Sequence, residues 1–101
     1  MPRCSVCGDG CSGHECFPPR NNVEGSPNVI VTGSPAHRVG DGWATHCCTC
    51  PWIPHGCHDS VLCSGSPNVF TNGKPQGRLG DAVCCGGIVV GPGASTVIIN
   101  G

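Results

Sequence analysis

Along this chain the apolar residues fall in short bursts bounded by turn-forming residues, never in long runs. The stretch "PNVFTN" (Pro67–Asn72) sets a β-branched and aromatic centre between polar flanks, which is the pattern of a short strand. Gly73 follows Asn72, and both tolerate the positive φ that a two-residue hairpin turn demands. "GRLGD" (Gly77–Asp81) then reads as the returning strand. Pro75 has no N–H to give a ladder, which puts it at the turn or on an edge. The 17 Gly and 10 Pro argue against long helices, because both are costly in a helix interior. The pattern predicts an all-β chain of short hairpins.

The same stretch occurs twice. Gly25–Asp41 and Gly65–Asp81 align at an offset of 40 residues, with ten of 17 positions identical. Gly93–Gly101 fits the start of the pattern, and Cys7–Asp9 at the other end of the chain matches its close at Val39–Asp41 and Leu79–Asp81. Such repetition fixes architecture. It predicts one domain over 1–101, built from about three units: 25–41, 65–81, and a split unit of 93–101 plus 1–9. Hairpins this small cannot each bury a face, so they pack around a common axis. The expected object is pseudo-threefold, and it suits a partner with true threefold symmetry. Asp41 and Asp81 each follow Gly and read as turn caps.

Composition adds a stability problem. The chain has 101 residues, two Phe, two Trp and no Tyr, so its apolar core is thin for a size class that already buries little surface. Eleven Cys and five His offer the usual remedies, disulfides or a metal. An odd number of Cys cannot all pair within one chain. The start "MPRCSVCGDG" has no apolar signal region, so the chain is expected to be made in a reducing cytoplasm, with thiols free or metal-bound. No apolar run is long enough for a transmembrane helix. The net charge is −1 and the five Lys and Arg are scattered, which argues against nucleic acid as a partner.

The segments after each Gly-Asp carry potential metal ligands. Asp9 is followed by His14, Asp41 by His46, and Asp81 by Cys84 and Cys85. Equivalent positions in pseudo-symmetric units converge near the axis, so two His and a Cys supply three ligands of a tetrahedral zinc site. His58 or His55 is available as the fourth. His37 lies within the hairpin and reads as exposed. Trp43 and Trp52 read as packing residues. Cys4, Cys7, Cys11, Cys16, Cys47, Cys48, Cys50, Cys57, Cys63 and Cys84 are open to three readings: free apolar thiols, disulfides formed outside the cell, or a second metal site, for which Cys4-x-x-Cys7 and Cys47-Cys48-x-Cys50 have the spacing.

"PAHR" (Pro35–Arg38) and "PQGR" (Pro75–Arg78), each followed by Val or Leu, Gly and Asp, resemble the PAAR-repeat family. "GHECFPPR", "GDGWATHCC", "CHDSV" and "GDAVCCGG" look like that family's linking segments, so the resemblance spans essentially the whole chain. It implies a small cone whose base sits on a trimeric β-helical spike, VgrG-like or of a phage tail, with one tip per trimer. It also implies a structural zinc at the apex. Among the residues above, the matching segments select His14, His46, His58 and Cys85 as the ligands. Members sharpen the central spike of type VI secretion systems or contractile phage tails for piercing a target membrane. The expected course is synthesis in the bacterial cytoplasm, assembly on the spike, then secretion or a place in a virion tail. Some members carry fused toxins; a chain ending at Gly101 is expected to be a bare tip, with effector cargo at most associated.

Two other function classes compete. Cys85 with His46 would be a nucleophile and base, but a cone of hairpins has no sizeable substrate pocket, so no enzymatic activity is expected. A free-standing metal-binding or thiol redox protein would hold several metals and ignore a trimeric β-helix. In a closed four-ligand site the zinc has no open position for water and is structural. Such a site contributes on the order of 10 kcal/mol to folding, which would offset the thin core.

Overall fold

A computed structural model describes residues 2–13, 18–47, 57–84 and 86–99, with the backbone alone described for His46, Cys47, Cys57 and His58. Among the described residues there are eight strands and no helix: β1 (Gly10–Cys11), β2 (Ile30–Val31), β3 (Ser34–Pro35), β4 (Gly42–Cys47), β5 (Cys57–Val61), β6 (Phe70–Thr71), β7 (Lys74–Pro75) and β8 (Val89–Gly91). They form antiparallel pairs, β1 with β8, β2 with β3, β4 with β5 and β6 with β7. The long axis measures 42 Å against 25 and 21 Å across. The all-β expectation from the repeat is met.

The two repeated hairpins turn as their sequence dictates. Thr32 and Gly33 have φ of 48° and 87°, and Asn72 and Gly73 have 54° and 78°, the all-positive pattern of a type I′ turn. Before each hairpin a serine hydroxyl folds the entry. Ser26 Oγ accepts from the N–H groups of Asn28 and Val29, and Ser66 Oγ from those of Asn68 and Val69. The return differs from expectation. "GRLGD" is not a strand: β7 ends at Pro75, Arg78 makes a single bridge to Cys4, and Leu79-Gly80 turn. The turn wins because the Asp81 carboxylate reaches back to the Arg78 N–H at 2.7 Å, as Asp41 does to Arg38 at 2.8 Å and Asp9 to Val6 at 2.9 Å.

The three units close on one another through the backbone. His37 N–H donates to the Ser5 carbonyl (3.1 Å), Gly77 N–H to the His37 carbonyl (2.9 Å), and Ser5 N–H to the Gly77 carbonyl (2.9 Å). The triangle is the core of the pseudo-threefold. A second ring runs from Cys7 to Pro35, Val39 to Pro75 and Leu79 to Arg3. The chain ends join in the same pattern. Ala94 N–H donates to the Cys4 carbonyl, as Ser26 does to Ala36 and Ser66 to Gln76. The amide of Gln76 lies over the triangle, with Nε2 within 2.9–3.1 Å of all three ring carbonyls and Oε1 accepting from Thr71 Oγ1 at 2.6 Å.

His37 is the clearest departure from the sequence reading. It was expected at the surface, yet it is fully buried at 0% exposure. The reason is its place in the triangle, where the equivalent residues are Ser5 and Gly77. A Cβ on Gly77 would stand 2.8 Å from the His37 carbonyl and 2.7 Å from Leu62, so that position has no room for a side chain, while the ring of His37 is accommodated. Apolar packing is divided between a cluster of Cys11, Trp43, Leu62, Val83 and Val89 and another of Cys4, Val6, Ala94 and Ile99. Trp43 is a packing residue, as expected.

Two of the three capping aspartates are paired. Arg38 holds Asp41 through Nε (2.8 Å) and Nη2 (2.7 Å), and Arg78 holds Asp81 likewise at 3.1 and 2.8 Å. In the third unit Val6 replaces the arginine, and Asp9 instead accepts from Ser5 Oγ and from the Gly93 N–H. The pair exposures are 7% and 0% for Arg38–Asp41 but 18% and 6% for Arg78–Asp81. Removing one partner of a buried pair costs about 3–5 kcal/mol. Asp41→Asn is therefore expected to lower stability by about that amount, and Asp81→Asn by clearly less, because water reaches Arg78. Equal losses in denaturant unfolding would show that burial of the arginine does not set the cost.

Candidate functional site

The longest strands are not in the repeated hairpins. They are β4 and β5, built from the linking segments "GWATHC" and "CHDSV". β4 begins where the Asp41-capped turn ends, and at ~3.3 Å per residue it carries the chain roughly 16 Å onward. Its register sets Gly42 opposite Val61 and Trp43 opposite Ser60, shifts once, and then sets His46 opposite His58 and Cys47 opposite Cys57. Two of the four candidate ligands are thus direct backbone partners, on paired strands and not at a repeat offset.

His14 and Cys85 lie outside the described residues, as do His55, Trp52, Cys16, Cys48 and Cys50. Their described neighbours are close together. Ser12 N–H donates to the Ile88 carbonyl, and Ile88 N–H to Ser12 Oγ. At Gly87, whose φ is +85°, a Cβ would stand 2.9 Å from the Gly13 carbonyl. Glycine is needed there because backbone meets backbone. Cys84 N–H donates to the Val61 carbonyl at the end of β5. The segment after Asp9 therefore lies against the one after Asp81, and the latter lies against the hairpin that carries His46 and His58.

Among the described residues no three His, Cys, Asp or Glu side chains stand as a metal-holding group. Cys84, one of the alternative ligands, is bonded to Cys63. That is one of the three readings open for the extra cysteines, and it departs from the expectation that in a reducing cytoplasm the thiols stay free or metal-bound. The Leu62–Val83 bridge sets the two cysteines side by side, with Cα atoms 4.7 Å apart. Cys4 and Cys11 are free and buried, each in a different apolar cluster, and Cys7 is free and half-buried. Cys4 behaves as a small apolar residue: burial, with the Asp9 charge adding to it, pushes its thiol up to about 11.

The core beneath β4 contains an unusual polar group. His37 Nδ1 donates to the Glu24 carbonyl at 2.7 Å, which leaves Nε2 as the bare nitrogen. Neither His37 Nε2 nor Trp43 Nε1 has a hydrogen-bond partner among the described residues. The two rings meet edge to face with centroids 5.4 Å apart. Burial holds His37 below the ordinary imidazole value, against the opposing pull of the Glu24 hydrogen bond and the charges of Asp41, Asp9 and Glu24. The residue was missed as a core group, although the small residues at Ser5 and Gly77 mark its position as the tight one. The roles of Arg38, Arg78 and Gln76 were missed too. Arg recurs in both repeats at the third residue before Asp, which is the available signal for the two pairs.

The PAAR motif family model matches residues 21–91, about two thirds of the chain and both complete repeats. The chain belongs to the PAAR motif family. PAAR proteins are spike-tip proteins of contractile injection systems, structural in role, and the family binds metal. No curated protein matches this PAAR chain closely enough to add a specific role. No helix among its described residues is long and apolar enough to cross a membrane.

The buried imidazole makes a pH prediction. Its folded value lies below its unfolded one, so its stabilising contribution is complete above about pH 6.5 and is lost as pH falls below that. The stability gap between wild type and His37→Gln is expected to narrow by up to about 1.4 kcal/mol per pH unit below pH 6.5. Asp41 contributes in a lower window. Burial pushes its carboxyl up, but the hydrogen bonds and charge of Arg38 bring it below the usual range, so its share is lost only below about pH 4. Thermal unfolding of both proteins from pH 8 to pH 4 measures the gap. A gap independent of pH would mean that His37 titrates alike folded and unfolded.

Proposed function

We propose that this PAAR chain is a structural tip that caps and sharpens a trimeric β-helical spike, one tip per trimer. It would serve a type VI secretion system or a contractile phage tail and help pierce the target membrane. The observation that carries this reading is a set of three exposed apolar side chains at equivalent repeat positions. Ile30, Phe70 and Ile98 are 57%, 58% and 49% exposed. Large apolar groups displayed at matching places on three facets favour a partner that presents three matching apolar patches. A homotrimer does so at its blunt end. The whole chain, 1–101, acts as one domain in this reading. Its units are 25–41, 65–81, and 93–101 joined to 1–9. Synthesis in the bacterial cytoplasm precedes assembly on the spike.

The same reading gives the linking segments a structural zinc, held by His14, His46, His58 and Cys85. The register of His46 with His58 and the contact of Gly13 with Gly87 support it, because both bring together the backbone that carries these donors. Three imidazoles and a thiolate are a donor set that suits zinc. Bound there, the ion would cross-link the linking segments and supply no reactive water.

Two measurements test the proposal. Light scattering of the chain mixed with its cognate spike is expected to give one tip per three spike chains. Phe70→Asp is expected to weaken that complex at least tenfold, since burying a side chain of this size contributes roughly 1.5–3 kcal/mol. A three-to-three complex, or one indifferent to charge at Ile30, Phe70 and Ile98, would sink the docking model. Metal analysis is expected to find one zinc per chain. His46→Ala and His58→Ala should each lose it, whereas His55→Ala retains it. Retention of metal by both His46→Ala and His58→Ala would remove these residues from the site.

A further inference from the structure

Among the described residues, the second facet carries a disulfide. Cys63 and Cys84 are both exposed and bonded to each other. The backbone around them is fully hydrogen-bonded without the bond: Cys63 N–H donates to the Ala82 carbonyl (2.8 Å) and Cys84 N–H to the Val61 carbonyl (3.0 Å). The first facet repeats this ladder with no cysteine at either position. There, Val23 N–H donates to the Gly42 carbonyl (3.0 Å) and Ala44 N–H to the Asn21 carbonyl (3.0 Å). Val23 with Ala44 thus occupies the place of Cys63 with Cys84. The split unit repeats it only in part: Ser12 N–H donates to the Ile88 carbonyl at 2.9 Å, and the β1–β8 register shifts between Gly10 and Cys11. The first facet forms this ladder with no cysteine in it, so the ladder holds the two sulfurs as neighbours whether or not they are joined.

We propose that Cys63 and Cys84 are a reversible thiol–disulfide staple, open in reducing surroundings and closed by exchange with a low-molecular-weight disulfide, with no change of fold. The closing step balances as two exchanges. The Cys63 thiolate attacks the small disulfide, forming a mixed disulfide and releasing one small thiolate. The Cys84 sulfur, having given up its proton, then attacks the Cys63 sulfur and releases the second. The protein loses two electrons and two protons, and the small disulfide becomes two thiols. Selectivity follows from position. Among the described cysteines, Cys4 and Cys11 are buried in separate apolar clusters, out of reach of a solvent-borne reagent, and Cys7 is half-buried, while Cys63 and Cys84 stand at the surface already paired by the ladder. The loop they close spans 21 residues and contains the whole second hairpin, including Gln76, whose amide binds all three ring carbonyls. Closing it restricts the unfolded chain and leaves the folded ladder as it was. The result is a tip that gains stability on passing from a reducing to an oxidising medium.

The full-length chain is equilibrated in glutathione buffers from fully reduced to fully oxidised, then alkylated and mapped by mass spectrometry, with Tm and circular dichroism recorded alongside. The Cys63–Cys84 link is expected to form and break reversibly with unchanged circular dichroism. Tm should rise on the order of 10 °C on oxidation. The double variant Cys63→Val with Cys84→Ala, which copies the first facet, should fold with the Tm of the reduced wild type and lose the rise. Loss of β-structure on reduction would overturn the staple. So would failure of the link to form in oxidised glutathione, Cys84 paired to a different cysteine, or a double variant that keeps the oxidation-dependent rise.

Discussion

Everything else in this structure depends on the triangle of backbone hydrogen bonds among Ser5, His37 and Gly77. Three segments from distant parts of the chain must approach until each N–H reaches the next carbonyl. That distance leaves no room for a side chain at Gly77, while the ring of His37 is accommodated. It also draws three carbonyl dipoles toward one point, where each has a second lone pair to satisfy. The Gln76 amide answers that demand from the second facet. A chain with two small apolar clusters and few aromatics is thus held at its centre by directional bonds in a place water does not reach. An unmade hydrogen bond is most costly there.

The aspartate caps extend the same arrangement outward. Each carboxylate binds the N–H three residues earlier and turns the chain from the body into a linking segment. In two units an arginine neutralises the buried charge. In the third, Asp9 binds the Gly93 N–H, so a cap also ties the two ends of the chain together. The pseudo-symmetry is strict in the backbone and loose in the side chains. It leaves Ile30, Phe70 and Ile98 exposed at equivalent repeat positions and frees the linking segments to differ. One of those segments becomes the β4–β5 hairpin, and another carries the disulfide.

The repeat at an offset of 40 residues, the Asn72-Gly73 turn and the Asp caps were legible because each rests on interactions within a few residues. Where local cues competed, one failed: "GRLGD" reads as a strand by composition, but its own aspartate closes it into a turn. The candidate ligands were legible as residue types in phase with the repeat. Their backbone neighbours now connect around β4, β5, Gly13 and Gly87, and the register of His46 with His58 gives half of the set a defined pairing. That register was not legible, since it depends on a shift inside β4 that no spacing in the sequence encodes.

By itself, then, the sequence determined the two full repeats, the Asn72-Gly73 turn and the aspartate caps, since φ preference and capping act over three or four residues. Only the tertiary structure decided that His37 is buried rather than exposed, that Gln76 serves three carbonyls, and that Cys84 pairs with Cys63 rather than standing free. Each of these outcomes turns on which distant segment comes within about 3–5 Å, and closure of the three units around one axis settles that.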